Sequence, residues 1–261
     1  MPKINVNDIN IYYEIHGKGF PLVMMTGLAG DTNWWSLEEV KAYSHYFKLI
    51  IFDNRGAGRS DKPKKEYSID QFATDTLRLM DALKIEKAHI LGSSMGGMIA
   101  QEIAINHPER VEKLVLCSTH CGGIRKVNPS QDVLDMMTSS NQDLIDGIIS
   151  LCFTKKIIEN NPKLILEFKK KISKTRIPPK SYILQLKSVD SFDTYSRLKQ
   201  IIAPTLILHG KNDLLVPVAN AEILASQIPN ANVKILEHEG HWIFLPNWEK
   251  MMKIIVNFLA D

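Results

Sequence analysis

The sequence predicts an α/β protein built on a mostly parallel central sheet with helices on both faces. Three observations carry that reading. Five short runs, at 22–25, 49–52, 88–91, 111–117 and 205–208, are largely apolar, the pattern of strands covered on both sides. Segments of helical periodicity, roughly 33–46, 69–83 and 95–106, alternate with them, and such alternation builds parallel sheets by right-handed crossovers. With 261 residues and 44% hydrophobic content, the chain has ample material for one large core.

The remaining elements follow in order. Residues 3–6 and 9–15 alternate apolar with polar side chains around Asn7-Asp8, so they are expected to form an antiparallel hairpin at the sheet edge, one face solvated. A last strand near 232–236 and a helix at about 247–259 close the chain. Between 122 and 197 the strand-helix alternation stops. Helical periodicity and Pro178-Pro179 replace it, so this segment is expected to be a helical cap inserted into a core domain of residues 1–121 and 198–261.

Composition excludes several functions. A formal net charge of +3 gives no footprint for nucleic acid. Three cysteines, Cys117, Cys121 and Cys152, make an odd count without C-x-x-C spacing, which argues against a disulfide framework or structural zinc and for a reducing compartment. The first residues contain no apolar leader core and no apolar run approaches the length of a membrane helix, so the expected location is cytoplasmic with no membrane partner. One charged run stands out. From 155 to 176, Lys155, Lys156, Lys163, Lys169, Lys170, Lys171, Lys174 and Arg176 face only Glu159 and Glu167, an excess of six positive charges. A solvated helix face accounts for such a run, and attraction of an anionic substrate is the sharper alternative.

In open α/β sheets ligands bind beyond the carboxyl ends of the strands, so the loops there deserve most weight. After the 88–91 run comes Gly92-Ser93-Ser94-Met95-Gly96-Gly97. G-x-S-x-G between strand and helix describes a tight turn in which the glycines relieve crowding and the serine hydroxyl projects at the apex. Ser94 is therefore the candidate nucleophile. The following helix aims its N-terminal dipole at that apex, making the Met95 N–H a candidate oxyanion donor.

A serine hydroxyl needs a general base, and the base needs an acid to orient it. Of eight histidines, His16, His45, His89 and His107 fall outside the relevant loops, and His209 is expected to end its strand facing the core. His120, His238 and His241 remain. His241 follows Gly240 at the end of a loop and is the expected base, with His238 read as structural. Asp213, in the loop after the 205–208 strand, is the expected acid. Asp190 and Asp193, in or beside the insertion, read as surface carboxylates.

The order Ser94, Asp213, His241 resembles that of the α/β-hydrolases. Further pieces match: Asp53-Asn54-Arg55-Gly56-Ala57-Gly58-Arg59-Ser60, His209-Gly210-Lys211-Asn212-Asp213 with Val216-Pro217, and Gly240-His241. The chain is thus similar, over nearly its whole length, to the carboxylesterase and enol-lactonase-like branch of the α/β-hydrolase superfamily. The resemblance implies an α/β-hydrolase fold and a serine hydrolase that cleaves carboxylic esters or thioesters through an acyl-enzyme, without metal or organic cofactor. Lactonase, C–C bond hydrolase and perhydrolase chemistry are alternatives on the same fold, and a non-catalytic small-molecule receptor is the alternative from another class. It also implies that the Leu28 N–H is the second oxyanion donor, even though Thr26-Gly27 stands where the family usually has His-Gly. Asp53 and Arg55 are implied to hold the glycine turn rather than to act chemically. Trp34 and Trp35 read as core residues of an amphipathic helix, one of them a candidate pocket wall.

Overall fold

The computed structural model describes residues 2–138, 144–174, 177–245 and 247–261. Arg176, the last residue of the basic run, lies outside them. Eight strands form one sheet: β1 (Lys3–Val6), β2 (Ile9–His16), β3 (Pro21–Met25), β4 (Lys48–Phe52), β5 (Ala88–Ser93), β6 (Val111–Cys117), β7 (Thr205–Gly210) and β8 (Ala231–Leu236). Their spatial order is β1-β2-β4-β3-β5-β6-β7-β8. The hairpin pairs antiparallel, β2 also runs antiparallel to β4, and every other pairing is parallel.

Why the central strands are apolar throughout is visible in their side-chain alternation. Val23, Met25, Ile50 and Phe52 join a core with α2 (Ile69–Ala82), α3 (Met95–Asn106) and α9 (Ala219–Gln227). Their neighbours Leu22, Met24, Leu49 and Ile51 point the other way, into a core with α1 (Leu37–Tyr46) and α10 (Trp248–Ala260). Each of these central strands thus has two buried faces.

The helix expected over 33–46 is broken in two. A short 3-10 turn covers Thr32–Trp34, and α1 starts only at Leu37. Ser36 explains the break: its hydroxyl accepts the Glu39 N–H at 3.1 Å while the Glu39 carboxylate accepts the Ser36 N–H at 2.7 Å, a reciprocal cap that fixes the first turn. Trp34 and Trp35 therefore precede the helix instead of lying on it.

Between β6 and β7 the described residues supply α4 (Gln131–Thr138), α5 (Leu144–Cys152), α6 (Lys155–Asn160), α7 (Pro162–Ile172) and α8 (Pro179–Asp190). Both ends of this excursion meet at one point. Gly122 bridges Asp193, the Gly123 N–H donates to the Phe192 carbonyl at 2.9 Å, and the Thr194 N–H donates to the Cys121 carbonyl at 2.8 Å. Among the described residues no helix is long and apolar enough to cross a membrane.

Candidate active site

The turn at Ser94 is held by backbone crowding that only glycine tolerates. Ser94 itself has φ +55° and ψ −119°, a strained conformation for a side chain with a Cβ. A Cβ on Gly96 would sit 2.5 Å from the Met25 carbonyl oxygen, and one on Gly27 would sit 2.8 Å from the Ser94 Cβ. The Ser94 N–H donates to the Cys117 carbonyl at 2.9 Å, and Thr119 Oγ1 donates to the Ser94 carbonyl at 2.8 Å. These contacts clamp the apex between β5 and β6 and leave its hydroxyl at the sheet rim. No sequence signal pointed to Thr119.

Asp213 and His241 come together as expected. Asp213 Oδ1 accepts the Leu215 and Val216 N–H groups at 2.9 and 2.8 Å, which locks the carboxylate plane. Its Oδ2 lies 2.8 Å from His241 Nδ1, with both residues buried. Burial acts to raise the Asp213 carboxyl, but the rings of His241 and His209 outweigh it and hold the carboxyl below its ordinary value. His209 is fully buried, as its strand position implied, and its Nε2 bonds the Val216 carbonyl at 2.8 Å while lying 3.3 Å from Asp213 Oδ2. The sequence reading missed that second contact. His238 differs from expectation: its side chain is exposed, because the 237–238 turn faces solvent beyond the strand end. Asp190 and Asp193 are exposed, as read.

Ser94, His241 and His120 open on one cavity of about 340 Å³. No hydrogen bond joins the Ser94 hydroxyl to His241 in this conformation; such contacts commonly tighten when substrate arrives. Leu28 also lines the cavity, and neither its N–H nor that of Met95 donates a hydrogen bond among the described residues. Both backbone donors are thus without a partner among the described residues.

Most of the remaining wall is apolar. Trp34 lines it, stacked edge-on against Trp242, whereas Trp35 is buried beneath. Met136, Ile148 and Leu151 arrive from α4 and α5, and Tyr182 and Val189 from α8. None of the lysines of the 155–176 run lines the cavity. Lys155, Lys156, Lys163, Lys170 and Lys174 are exposed, Lys169 pairs with Asp146, and Lys171 donates to the Trp35 carbonyl. The run is amphipathic, its buried stripe being Ile165, Phe168 and Ile172, so most of its lysines fall on the outer face of α6 and α7, whereas Lys171 reaches inward to Trp35.

The glycine turn is held as the resemblance implied. Asp53 accepts the N–H groups of Thr32 and Arg59 at 2.8 and 2.7 Å, and Arg55 forms a buried two-point ion pair with Asp75. Gln185 of α8 was not foreseen. Fully buried, it accepts the Ala29 N–H at 2.9 Å and donates to the Arg55 carbonyl at 2.8 Å, tying the loop that carries Leu28 to that turn. Glutamine inside a helix gives no sequence signal for such a role.

The profile of the family described as alpha/beta hydrolase fold matches residues 21–159 and 151–247. The chain belongs to the α/β-hydrolase fold family. Its relatives include the protein of Azorhizobium caulinodans named "Putative carbamate hydrolase RutD", 28% identical over 244 residues, or 92% of this chain and 91% of that one. Among solved structures, the enol-lactonase from Burkholderia xenovorans LB400 superposes with a TM-score of 0.88 at 28% identity, covering 100% of both chains. The esterase EaEST from Exiguobacterium antarcticum gives 0.86 at 27% identity, covering 99% of each. The family, together with relatives and neighbours that are hydrolases by name, supports hydrolysis as the reaction class.

Proposed function

We propose that this α/β-hydrolase cleaves uncharged carboxylic esters through an acyl-enzyme on Ser94. The observation that carries the proposal is the buried Asp213–His241 pair opening on the same cavity as Ser94. In this mechanism His241 takes the Ser94 proton as the hydroxyl attacks the ester carbonyl, and Asp213 fixes the ring so that Nε2 faces the serine. The N–H groups of Leu28 and Met95 receive the oxyanion. The imidazolium returns its proton to the leaving alcohol, and water activated by the same ring then releases the acid. Helices α4 to α8 act as a cap whose apolar side chains select the substituents.

The preference for uncharged substrates rests on the cavity wall, which among the described residues has mostly apolar side chains and no lysine, arginine, aspartate or glutamate. Lactones are the second reading, supported by the end-to-end similarity to an enol-lactonase; a ring ester passes through the same two acyl-transfer steps. Carbamates, to which the name of the Azorhizobium relative points, also present a carbonyl that this site would attack.

The test is steady-state turnover of short p-nitrophenyl esters and a lactone panel, with labelling of Ser94 by a fluorophosphonate. Multiple turnovers abolished by the label are expected. Binding of these compounds without turnover would make the chain a receptor on a hydrolase fold and overturn the proposal.

A further inference from the structure

His120 is the rim histidine that the triad leaves unused. Its ring is buried to 8% exposure and lines the cavity beside Ser94 and His241. The Gly122 N–H donates to its Nδ1 at 3.0 Å. A nitrogen that accepts a hydrogen bond carries no proton, so the neutral ring must hold its proton on Nε2. Burial first, then the neighbouring Lys126, His241 and His209, hold this imidazole down to about 3, so the ring stays neutral through the physiological range.

Nε2 has no partner among the described residues, yet it is not one of the sealed, orphaned polar atoms such as Nδ1 of His89 or His209. It therefore reaches the cavity space. The ring is also rigidly mounted. Gln101 Nε2 donates to the His120 carbonyl at 3.1 Å, and Thr194 Oγ1 donates to Gln101 Oε1 at 2.8 Å. Gly122, at φ +73°, packs where a Cβ would run into the Phe192 carbonyl, so its N–H is fixed toward the ring at the root of the helical excursion. Of the other polar side chains on the described wall, the Tyr182 hydroxyl donates to the Met137 carbonyl at 3.0 Å, the Ser93 hydroxyl and the Trp242 indole nitrogen are closed off from solvent, and the half-buried Trp34 indole N–H has no partner among the described residues.

We infer that His120 Nε2–H is a fixed, uncharged donor that selects substrates bearing an uncharged oxygen acceptor, carbonyl or ether, away from the scissile ester. The inference rests on the serine-hydrolase reading above and deepens it by naming a substrate class. In a largely apolar pocket, an immobile N–H at His120 rewards an acceptor placed against it and is left unpaired under a purely alkyl substrate.

Two pairs of neutral esters test it. In the acyl pair, p-nitrophenyl levulinate is compared with p-nitrophenyl valerate; in the alcohol pair, methoxyethyl butyrate is compared with butyl butyrate. The wild-type enzyme is expected to favour the oxygenated member of one pair by about tenfold in kcat/KM, the worth of one hydrogen bond. His120→Leu should bring that ratio to about one, whatever it does to the alkyl ester. His120→Gln, which keeps an N–H near the Nε2 position, should retain part of it. Turnover of the alkyl esters with no oxygen preference in either pair overturns this inference and leaves the hydrolase reading intact, whether or not the variants fold. Equal loss in the Leu and Gln variants, or an unchanged ratio in His120→Leu, also overturns it. Absence of any turnover overturns the hydrolase reading itself.

Discussion

Gln185 Oε1 accepts the N–H of Ala29 at 2.9 Å, joining helix α8 to the loop that carries Leu28 on the cavity wall. Ala29 has φ +63°, a left-handed conformation in which an alanine persists only when its surroundings hold it. Gln185→Ala should therefore lower kcat by about tenfold with a smaller change in KM, because a displaced Leu28 donor affects the transition state more than the bound ester. It should also lower stability by about 1–3 kcal/mol, since the buried Arg55 carbonyl loses its partner. Gln185→Glu keeps the acceptor for Ala29 and should retain more of kcat than Gln185→Ala. Equal kcat losses would sink the role in positioning Leu28.

Ser94→Ala should abolish ester hydrolysis and leave the fold intact, as read by circular dichroism and thermal melting. The strained φ adds a sharper expectation. Ser94→Gly should be equally inactive but more stable than Ser94→Ala by roughly 1 kcal/mol, because glycine adopts positive φ without cost. Urea titration of the two variants decides it.

His241→Ala should cost as much activity as Ser94→Ala, whereas His238→Ala should change kcat/KM less than twofold, its side chain being exposed. Asp213→Asn should reduce kcat by about 10³–10⁴-fold with little change in KM, because an amide opposite Nδ1 favours the wrong tautomer. Near-normal activity of Asp213→Asn would place the orienting acid elsewhere.

Glu39 should make stability depend on pH. Burial raises its carboxyl to about 7, against the bonds from Ser36. Its folded value lies above the unfolded one, so between about pH 4.5 and 7 the folded state holds the extra proton and stability falls as pH rises through that window. The full effect is at most about 3 kcal/mol. Glu39→Gln should remove this part of the slope in urea unfolding measured from pH 5 to pH 8; an identical slope in both proteins would contradict it.

The lysines of α6 and α7 should be electrostatically remote from the chemistry. For a neutral p-nitrophenyl ester and for an anionic acyl donor, kcat/KM should respond in parallel to added salt, because most of these lysines face solvent and none of them lines the cavity. A selective loss for the anionic donor would restore the substrate-attracting reading of those charges.

By itself the sequence determined the sheet, its parallel sense and the loops that meet at its rim. Strand runs such as Leu22 to Met25 must be apolar on both faces, and G-x-S-x-G after β5 admits few backbone geometries, so local pattern suffices there. Asp213 and His241 were legible because strand ends bring their loops to one edge whatever the details of packing. Tertiary structure alone decided which partners those residues acquire. Trp34 became a cavity wall once the Ser36–Glu39 cap shortened α1, and most of the 155–176 lysines turned outward because Ile165, Phe168 and Ile172 occupy the inner stripe. The tautomer of His120 and the bridge made by Gln185 depend on atoms 2 and 156 residues away in sequence, respectively. A hydrogen bond is directional and short-ranged, so it is specified only when two elements have docked, whereas burial is set by periodicity that each element carries before it folds.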